Sequence, residues 1–377
     1  MSRKIRVGIA GMGRAGRFMH VPELAQFPEW FELAACADFS PARLTDLPEE
    51  LKGAKTYASV EDLIADPEVD MISIATRSGF HVSQAVAALE AGKYVVVDKP
   101  VAVSHQESLE LKAAGEKHPG RLFLRFNRRF EPLFNQIREI ITEGILGEIR
   151  MVKLYRHTGF VRRYDWQTLC EFHGGLLNNW GPHLIDQALC LLNSPVKDLW
   201  CDMQHNVAAG DSEDQIKLLL RAENGTVADI EISGATTLTG NWYEVWGTRG
   251  TLQAPDNHVP IKLRYLDPEQ QMTPLQAIRG EFPLTYGNRS DGLRFVDEER
   301  ELKSSEDPTF QRGRMVNPAF AKESSGYTYQ CTMWRHVYYA ITENKPYPIT
   351  LDDGVEVSRI IEEARKASGF RPRTLWE

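Results

Sequence analysis

The stretch from Ile5 to Asp38 constrains this 377-residue chain more than any other. It reads I-R-V-G-I-A-G-M-G-R-A-G, then a helix-like segment, then F-E-L-A-A-C-A-D. Ile5, Val7 and Ile9 open a short apolar strand, and Gly11, Gly13 and Gly16 form G-x-G-x-x-G at the turn into a helix. Each glycine has its own reason. The first allows a tight turn, the second lets backbone N–H groups approach a pyrophosphate, and the third lets helix and strand pack closely. The helix N-terminus then offers unpaired N–H groups and a positive dipole end to the phosphates. Alone, the pattern also fits a glycine-rich turn that binds nothing. Here a strand precedes it, a helix follows, and Asp38 closes the next strand 22 residues after Gly16. That is close to the ~20 residues expected before a ribose-binding acid. The turn residues Gly11, Met12, Gly13, Arg14, Ala15 and Gly16, with Asp38, are therefore the first candidate cofactor contacts. A carboxylate accepts hydrogen bonds from both ribose hydroxyls of NAD and repels the 2′-phosphate of NADP, so NAD is favoured. Arg43, close by, softens that preference.

The rest of the first 125 residues continues the alternation of strand and helix that builds a parallel, doubly wound sheet. Val69–Ala75 reads as a buried strand ending at Thr76, Phe80–Ala91 as a helix stopped by Gly92, and Tyr94–Val97 as a strand running into Asp98-Lys99-Pro100. A helix over Ser104–Lys117 and a sixth strand over Arg121–Phe126 follow, with Asn127 just beyond. Ligands of such sheets bind at the carboxyl ends of the strands. Gly11, Asp38, Thr76 and Lys99 all fall at such ends and point to one crevice.

Beyond Gly144–Gly147 the pattern changes. Glu148–His157 alternates, a helix is expected over 176–192, and strand-like runs fall near 196–207, 214–222, 226–234, 242–247 and 250–254. This predicts a Rossmann domain over residues 1–125 and an α+β domain over 126–377 with a large, mainly antiparallel open sheet. Residues 266–325 read as irregular, an excursion that covers substrate or contacts a subunit. Helices over 327–343 and 352–368 close the chain.

Two stretches carry chemistry. Lys99 follows a buried strand at the cofactor edge. In a partly dry pocket its charged form is disfavoured, so it can exchange protons near neutral pH, or it can simply bond a phosphate, a ribose or a turn carbonyl. In G-G-L-L-N-N-W-G-P-H-L-I-D (174–186), Asn179, His183 and Asp186 can share a helix face. His183 suits the taking of a hydroxyl proton, and equally a satisfied histidine in a domain interface. Arg163, Trp166 and Tyr243 are candidates for a sugar site, because rings stack on C–H faces and arginine supplies forked donors.

G-M-G-R-A-G (11–16), A-T-R-S-G-F-H (75–81), D-K-P (98–100), N-R-R-F-E-P (127–132) and the 174–186 stretch, in that order, resemble the glucose–fructose oxidoreductase / inositol dehydrogenase / MocA family over essentially the whole chain. The resemblance implies a nicotinamide cofactor and oxidation or reduction of a sugar, cyclitol or related polyol carbon. It implies Lys99 and His183 as the catalytic pair, with Thr76, His81 and Asp98 beside the cofactor and Asn127, Asn179 and His183 toward substrate. It also implies a homodimer or homotetramer formed through the second sheet. Two departures stand out. Asp98 replaces the family's glutamate, and Asn179 replaces the aspartate four residues before the histidine. Asparagine brings no charge to the imidazole. Either Lys99 and His183 work without that carboxylate, with Asp186 or Asp165 nearby, or the chain binds NAD and a sugar with weak turnover. A glycoside oxidised at C3, and an NAD-recycling oxidation–elimination, are the finer alternatives.

Composition adds exclusions. A net charge of −8 disfavours nucleic acid and anionic membranes as partners, and no run approaches the ~20 apolar residues of a membrane helix. The five cysteines are scattered with no C-x-x-C, which reads as reduced thiols in a cytoplasmic protein without a metal site.

Overall fold

The computed structural model describes residues 3–256, 259–272, 274, 276–277, 279, 292–302 and 332–372. Two sheets organise them. The first holds β1 (Ile5–Ala10), β2 (Phe31–Ala37), β3 (Lys55–Tyr57), β4 (Met71–Ile74), β5 (Tyr94–Asp98) and β6 (Leu122–Arg125) in the order β3-β2-β1-β4-β5-β6. Every pair is parallel. Helices cover both faces of such a sheet, so its strands read as unbroken apolar runs, and β4 is buried at every residue. This is the doubly wound nucleotide-binding architecture that the glycine turn requires.

The second sheet holds eight strands: β7 (Ile149–His157), β8 (Val196–Gln204), β9 (Gln215–Ala222), β10 (Val227–Ser233), β11 (Tyr243–Gly247), β12 (Gly250–Ala254), β13 (Ile261–Leu266) and β14 (Phe295–Arg300). Their order is β14-β13-β12-β11-β7-β10-β9-β8. Only the β7–β10 pair is parallel. One face is packed and the other open, which is why β7 and β9 alternate buried with part-exposed residues. β13 and β14 correct the reading of 266–325 as wholly irregular. β14 is a charged edge strand, F-V-D-E-E-R, with no buried residue, so it lacks the apolar alternation by which a strand is recognised. Residues 273, 275, 278, 280–291 and 303–325 of that excursion lie outside the described residues, as do 327–331 of the expected helix, which is described over Thr332–Glu343.

The end of the chain returns to the first sheet. The helix Leu351–Ser368 opens on a capping box made by Thr350 and Asp353. It packs on the helix His105–Lys117, where Glu362 accepts from the His105 backbone N–H at 2.8 Å. Trp334 is fully buried and donates from Nε1 to Glu23 Oε2 at 2.7 Å. Among the described residues no helix is long and apolar enough to cross a membrane.

Candidate active site

The glycine turn follows β1 directly. Gly11 has a φ of +96°, and a Cβ there would lie 2.6 Å from the Ala75 carbonyl oxygen. A Cβ on Gly16 would fall 1.9 Å from the Gly11 carbonyl oxygen. These two positions admit nothing larger. At Gly13 the nearest atom to such a Cβ is Arg43 Nη1, 4.0 Å away, so the second glycine opens onto free space. That division, two glycines forced by packing and one left open, fits a turn that receives a diphosphate. Beyond it lies a π-helical turn, Gly16–His20, and then Val21–Leu24.

Asp38 ends the second strand buried. Its carboxylate accepts from the Met12 and Ser40 backbone N–H groups at 2.8 and 2.9 Å, and Arg43 pairs with it at 3.3 Å. Ser40, at the N-cap of the helix Pro41–Thr45, makes no side-chain cap bond. Arg14 is exposed, Ala15 is half-buried, and the Met12 side chain is buried. Thr76 gives its hydroxyl hydrogen to Gln84 Oε1 at 2.7 Å.

Two expected cofactor contacts are instead structural. His81 is buried, with Nδ1 2.8 Å from the Pro100 carbonyl and Nε2 3.2 Å from that of Thr76. Burial lowers its pKa and the two carbonyls oppose the shift, and the buried ring sits between the tip of β4 and the Lys99-Pro100 turn. Asp98 is also buried. It accepts from the Lys99 backbone N–H at 2.9 Å and from Arg125 at 3.2 Å, and His20 Nε2 lies 3.5 Å away. Burial alone would raise this carboxyl, but Arg125 and His20 outweigh it and hold it well below the usual range. Arg125 in turn is clasped by both oxygens of Glu23, at 2.6 and 2.8 Å. His20 reaches Ser73 Oγ at 2.8 Å. The helix after the glycine turn is thus bolted to the backbone that presents Lys99. Sequence reasoning missed this network, because its members lie far apart in the chain.

Lys99 follows β5, His183 lies on the helix Gly181–Leu192, and the turn before that helix links them. Lys99 Nζ donates to the Asn179 carbonyl oxygen at 2.7 Å, four residues before His183. Burial pushes the lysine down to about 8, with Arg163, Arg125 and Arg128 adding to the effect and Asp98 opposing it. His183 is buried and lies well below its ordinary value. Burial is the main cause, and Lys99 and Arg128 add to it, so each base feels the same cations. The His183 ring meets Trp180 edge-on at 6.0 Å, and Arg128 covers the Trp180 ring at 4.5 Å.

The helix expected over 176–192 is two pieces, Leu176–Asn179 and Gly181–Leu192, joined at Trp180. The three side chains expected on one face go to three partners. Asn179 Nδ2 donates to Gln167 Oε1 at 2.9 Å. Asp186 pairs with Arg129, whose Nε lies 3.0 Å from Oδ2. His183 Nδ1 has no partner among the described residues. Asp165 is taken by Arg163 at 2.8 Å. Neither Asp186 nor Asp165 orients the imidazole.

Of the other expected substrate residues, Arg163 and Trp166 lie on the segment beside Asn179, since Arg163 Nη2 donates to the same Gln167 oxygen. Asn127 is buried at the tip of β6 with its Oδ1 unpaired among the described residues. Tyr243 does not reach a ligand: it is 1% exposed, receives Arg156 Nη2 at 2.7 Å and donates to Gln187 Oε1 at 2.9 Å. Its alternation in β11 turns it toward the core. Among the described residues no group of His, Cys, Asp and Glu could hold a metal ion.

Known proteins share this fold. A model of an oxidoreductase family with an NAD-binding Rossmann fold matches residues 5–126, and a GFO/IDH/MocA C-terminal domain matches 134–253. IolW of Bacillus subtilis, a scyllo-inositol 2-dehydrogenase (NADP(+)), is 25% identical across 97% of this chain and 94% of its own length. An NAD-binding protein from Listeria innocua has a TM-score of 0.77 at 23% identity, covering 97% of this chain and 98% of that one. The WlbA dehydrogenase from Bordetella pertussis, solved with NADH and UDP-GlcNAcA, gives 0.71 at 20% identity over 97% of each chain. At these identities the structural likenesses establish the fold.

Proposed function

The chain belongs to the GFO/IDH/MocA oxidoreductase family, and from that premise we propose a dehydrogenase that works on a hydroxyl-bearing carbon of a sugar, glycoside or cyclitol. The observation that carries this reading is the bond from Lys99 Nζ to the Asn179 carbonyl, which joins the tip of β5 to the turn that opens the His183 helix.

A bound nicotinamide supplies hydride acceptance and donation; the chain supplies everything else. The open face at Gly13 and the N–H groups of the turn hold the diphosphate, and Asp38 takes the ribose hydroxyls. The carboxylate favours NAD over NADP, and Arg43 moderates that preference at 3.3 Å. His183, neutral through the physiological range, has a lone pair free to accept the hydroxyl proton. Lys99, pushed down to about 8, exchanges that proton or bonds the same oxygen. Arg163, Trp166, Asn127 and Asn179 orient the polyol. C3 of a glycoside is the carbon this reading favours.

Two bases in one site also favour a second reading. One takes the hydroxyl proton as hydride leaves, and the other takes a C–H proton beside the new carbonyl, for elimination of a glycosidic group; water then adds to the resulting double bond and the hydride returns to the carbonyl carbon. A panel of glucosides, inositols and free sugars, followed by absorbance of reduced cofactor, separates the two. Oxidation alone accumulates reduced cofactor, whereas elimination releases sugar with none. Activity unchanged in both Lys99→Ala and His183→Ala would overturn the assignment.

The open face of the second sheet carries Trp200 and Trp246, 54% and 40% exposed. Assembly into a dimer or tetramer through this face would cover both. Sedimentation should show more than one subunit, and Trp246→Glu should shift it toward the monomer.

A further inference from the structure

Arg77 follows Thr76 at the tip of β4, and aromatic rings from both halves of the molecule hold its guanidinium. Its Cζ lies 4.4 Å from the ring centre of Phe172, 5.8 Å from that of Trp166 and 5.9 Å from that of Phe39. Phe39 follows Asp38 at the tip of β2, whereas Trp166 and Phe172 belong to the 159–173 segment that leads out of β7. These ring faces are its contacts among the described residues, and no carboxylate pairs with it there. Rings fix a guanidinium without neutralising it, and its N–H donors remain available.

The location gives this cation its meaning. In the sheet order β2-β1-β4, the glycine turn of β1 lies between the tips of β2 and β4. Gly11 touches Ala75 and Thr76 on one side. On the other, Arg43 lies 5.6 Å from the same Phe39 ring, and its Nη1 is the nearest atom to the open Gly13 position. A side chain rooted at β4 that reaches a ring at β2 therefore spans the mouth of the glycine turn. Phe39 is 72% exposed despite its two arginines, so the mouth is not closed by protein.

We infer that Arg77 clamps the diphosphate of the dinucleotide, and that this contact docks the 159–173 segment over the crevice. The inference rests on the dinucleotide reading above. Trp166 and Phe172 flank Gln167, whose Oε1 receives Arg163 and Asn179, and the Asn179 carbonyl holds Lys99. Gly79 also meets this segment, since a Cβ there would lie 3.5 Å from His173 Cδ2. The substrate side is thus assembled on rings that Arg77 gathers. Cofactor binds first, and the polyol second.

The test uses the full chain, with ADP as the diphosphate probe and NAD beside it, in titration calorimetry. Charge-assisted hydrogen bonds of this kind predict that Arg77→Ala weakens both ligands roughly tenfold to a hundredfold. Arg77→Lys, which keeps the charge and loses the planar stack, should fall between. In hydrogen exchange, ADP should protect the backbone of 159–173 in the unsubstituted protein and not in Arg77→Ala. Equal affinities in the variant, or equal protection, overturn the inference. If the unsubstituted protein bound neither ligand, the cofactor reading would fall with it. A protein that binds ADP through Arg77 yet oxidises no polyol keeps the inference and loses only the substrate reading.

Discussion

If Lys99 is the group that must lose its proton before the polyol is oxidised, the pH dependence of kcat has a shape the structure dictates. A lysine in water titrates near 10.4. Burial beside Arg163, Arg125 and Arg128 brings Lys99 down to about 8. The neutral fraction is then about one tenth at pH 7 and about nine tenths at pH 9, a rise of roughly tenfold that flattens above pH 9. An ordinary lysine would instead climb roughly a hundredfold over the same interval and keep climbing past pH 10. His183 lies well below its ordinary value, stays neutral throughout and adds no inflection in this range. The assay is initial-rate formation of reduced cofactor at saturating NAD and polyol from pH 6 to 10. Lys99→Arg, which stays charged across the range, should lose both the activity and the inflection. Lys99→Met should melt no lower than the parent at pH 7, because it removes a charge that burial disfavours. A slope that persists beyond pH 9.5, or an inflection near 8 that survives in Lys99→Arg, would refute the reasoning.

Other substitutions probe the scaffold. Glu213 is buried, its carboxyl is pushed up to about 7 by burial, and it accepts the Leu177 N–H at 3.0 Å. An acid raised in the folded state contributes stability at low pH that is lost as pH rises from about 4.5 through 7. Glu213→Gln should therefore be about 2 to 3 kcal/mol more stable than the parent at pH 8 and nearly equal at pH 5, by calorimetry. Glu23→Gln leaves Arg125 buried with only Asp98 and weakens the Trp334 bond, for a loss of about 3 to 5 kcal/mol in denaturant titration. Asp186→Asn removes one of the two carboxylates that pair with Arg129 and should lower the melting temperature while leaving the kcat pH profile unchanged. A moved profile would restore Asp186 as the orienter of His183. Asp38→Ser should shift the ratio of NAD to NADP affinity toward NADP, because Arg43 then faces the ribose without a competing carboxylate.

The nucleotide half was legible because its constraints are local. A tight turn, an open turn and a close approach each demand glycine at one place, and buried parallel strands write unbroken apolar runs. β3 escaped notice because three residues, Lys55–Tyr57, are too few to show a period. β14 escaped because both its exposed face (Phe295, Asp297, Glu299) and its half-buried face (Val296, Glu298, Arg300) are mostly charged, so no apolar face shows. At the site, Lys99 and His183 could be named from their neighbours in sequence. What holds them could not, because a helix drawn through 176–192 put Asn179, His183 and Asp186 on one face. The break at Trp180 sends them apart: Asn179 toward Gln167, Asp186 toward Arg129, and His183 with its Nδ1 unpaired among the described residues.

That break also recasts the loss of a carboxylate at Asn179. Lys99 is held by the backbone carbonyl of residue 179, which any side chain there would leave in place. The amide instead grips Gln167 and, through its oxygen, shares that group with Arg163. An aspartate at this position could not donate to the Gln167 oxygen and would add a negative charge beside Lys99 and His183, raising both toward their protonated forms. Asparagine therefore gives up a charge on the imidazole, leaving His183 neutral and Lys99 low enough, at about 8, to lose its proton in part near physiological pH. On this argument Asn179→Asp should shift the alkaline inflection above 8 and lower kcat at pH 8. A gain of turnover there would mean that the missing carboxylate, rather than the protonation of Lys99, limits this site.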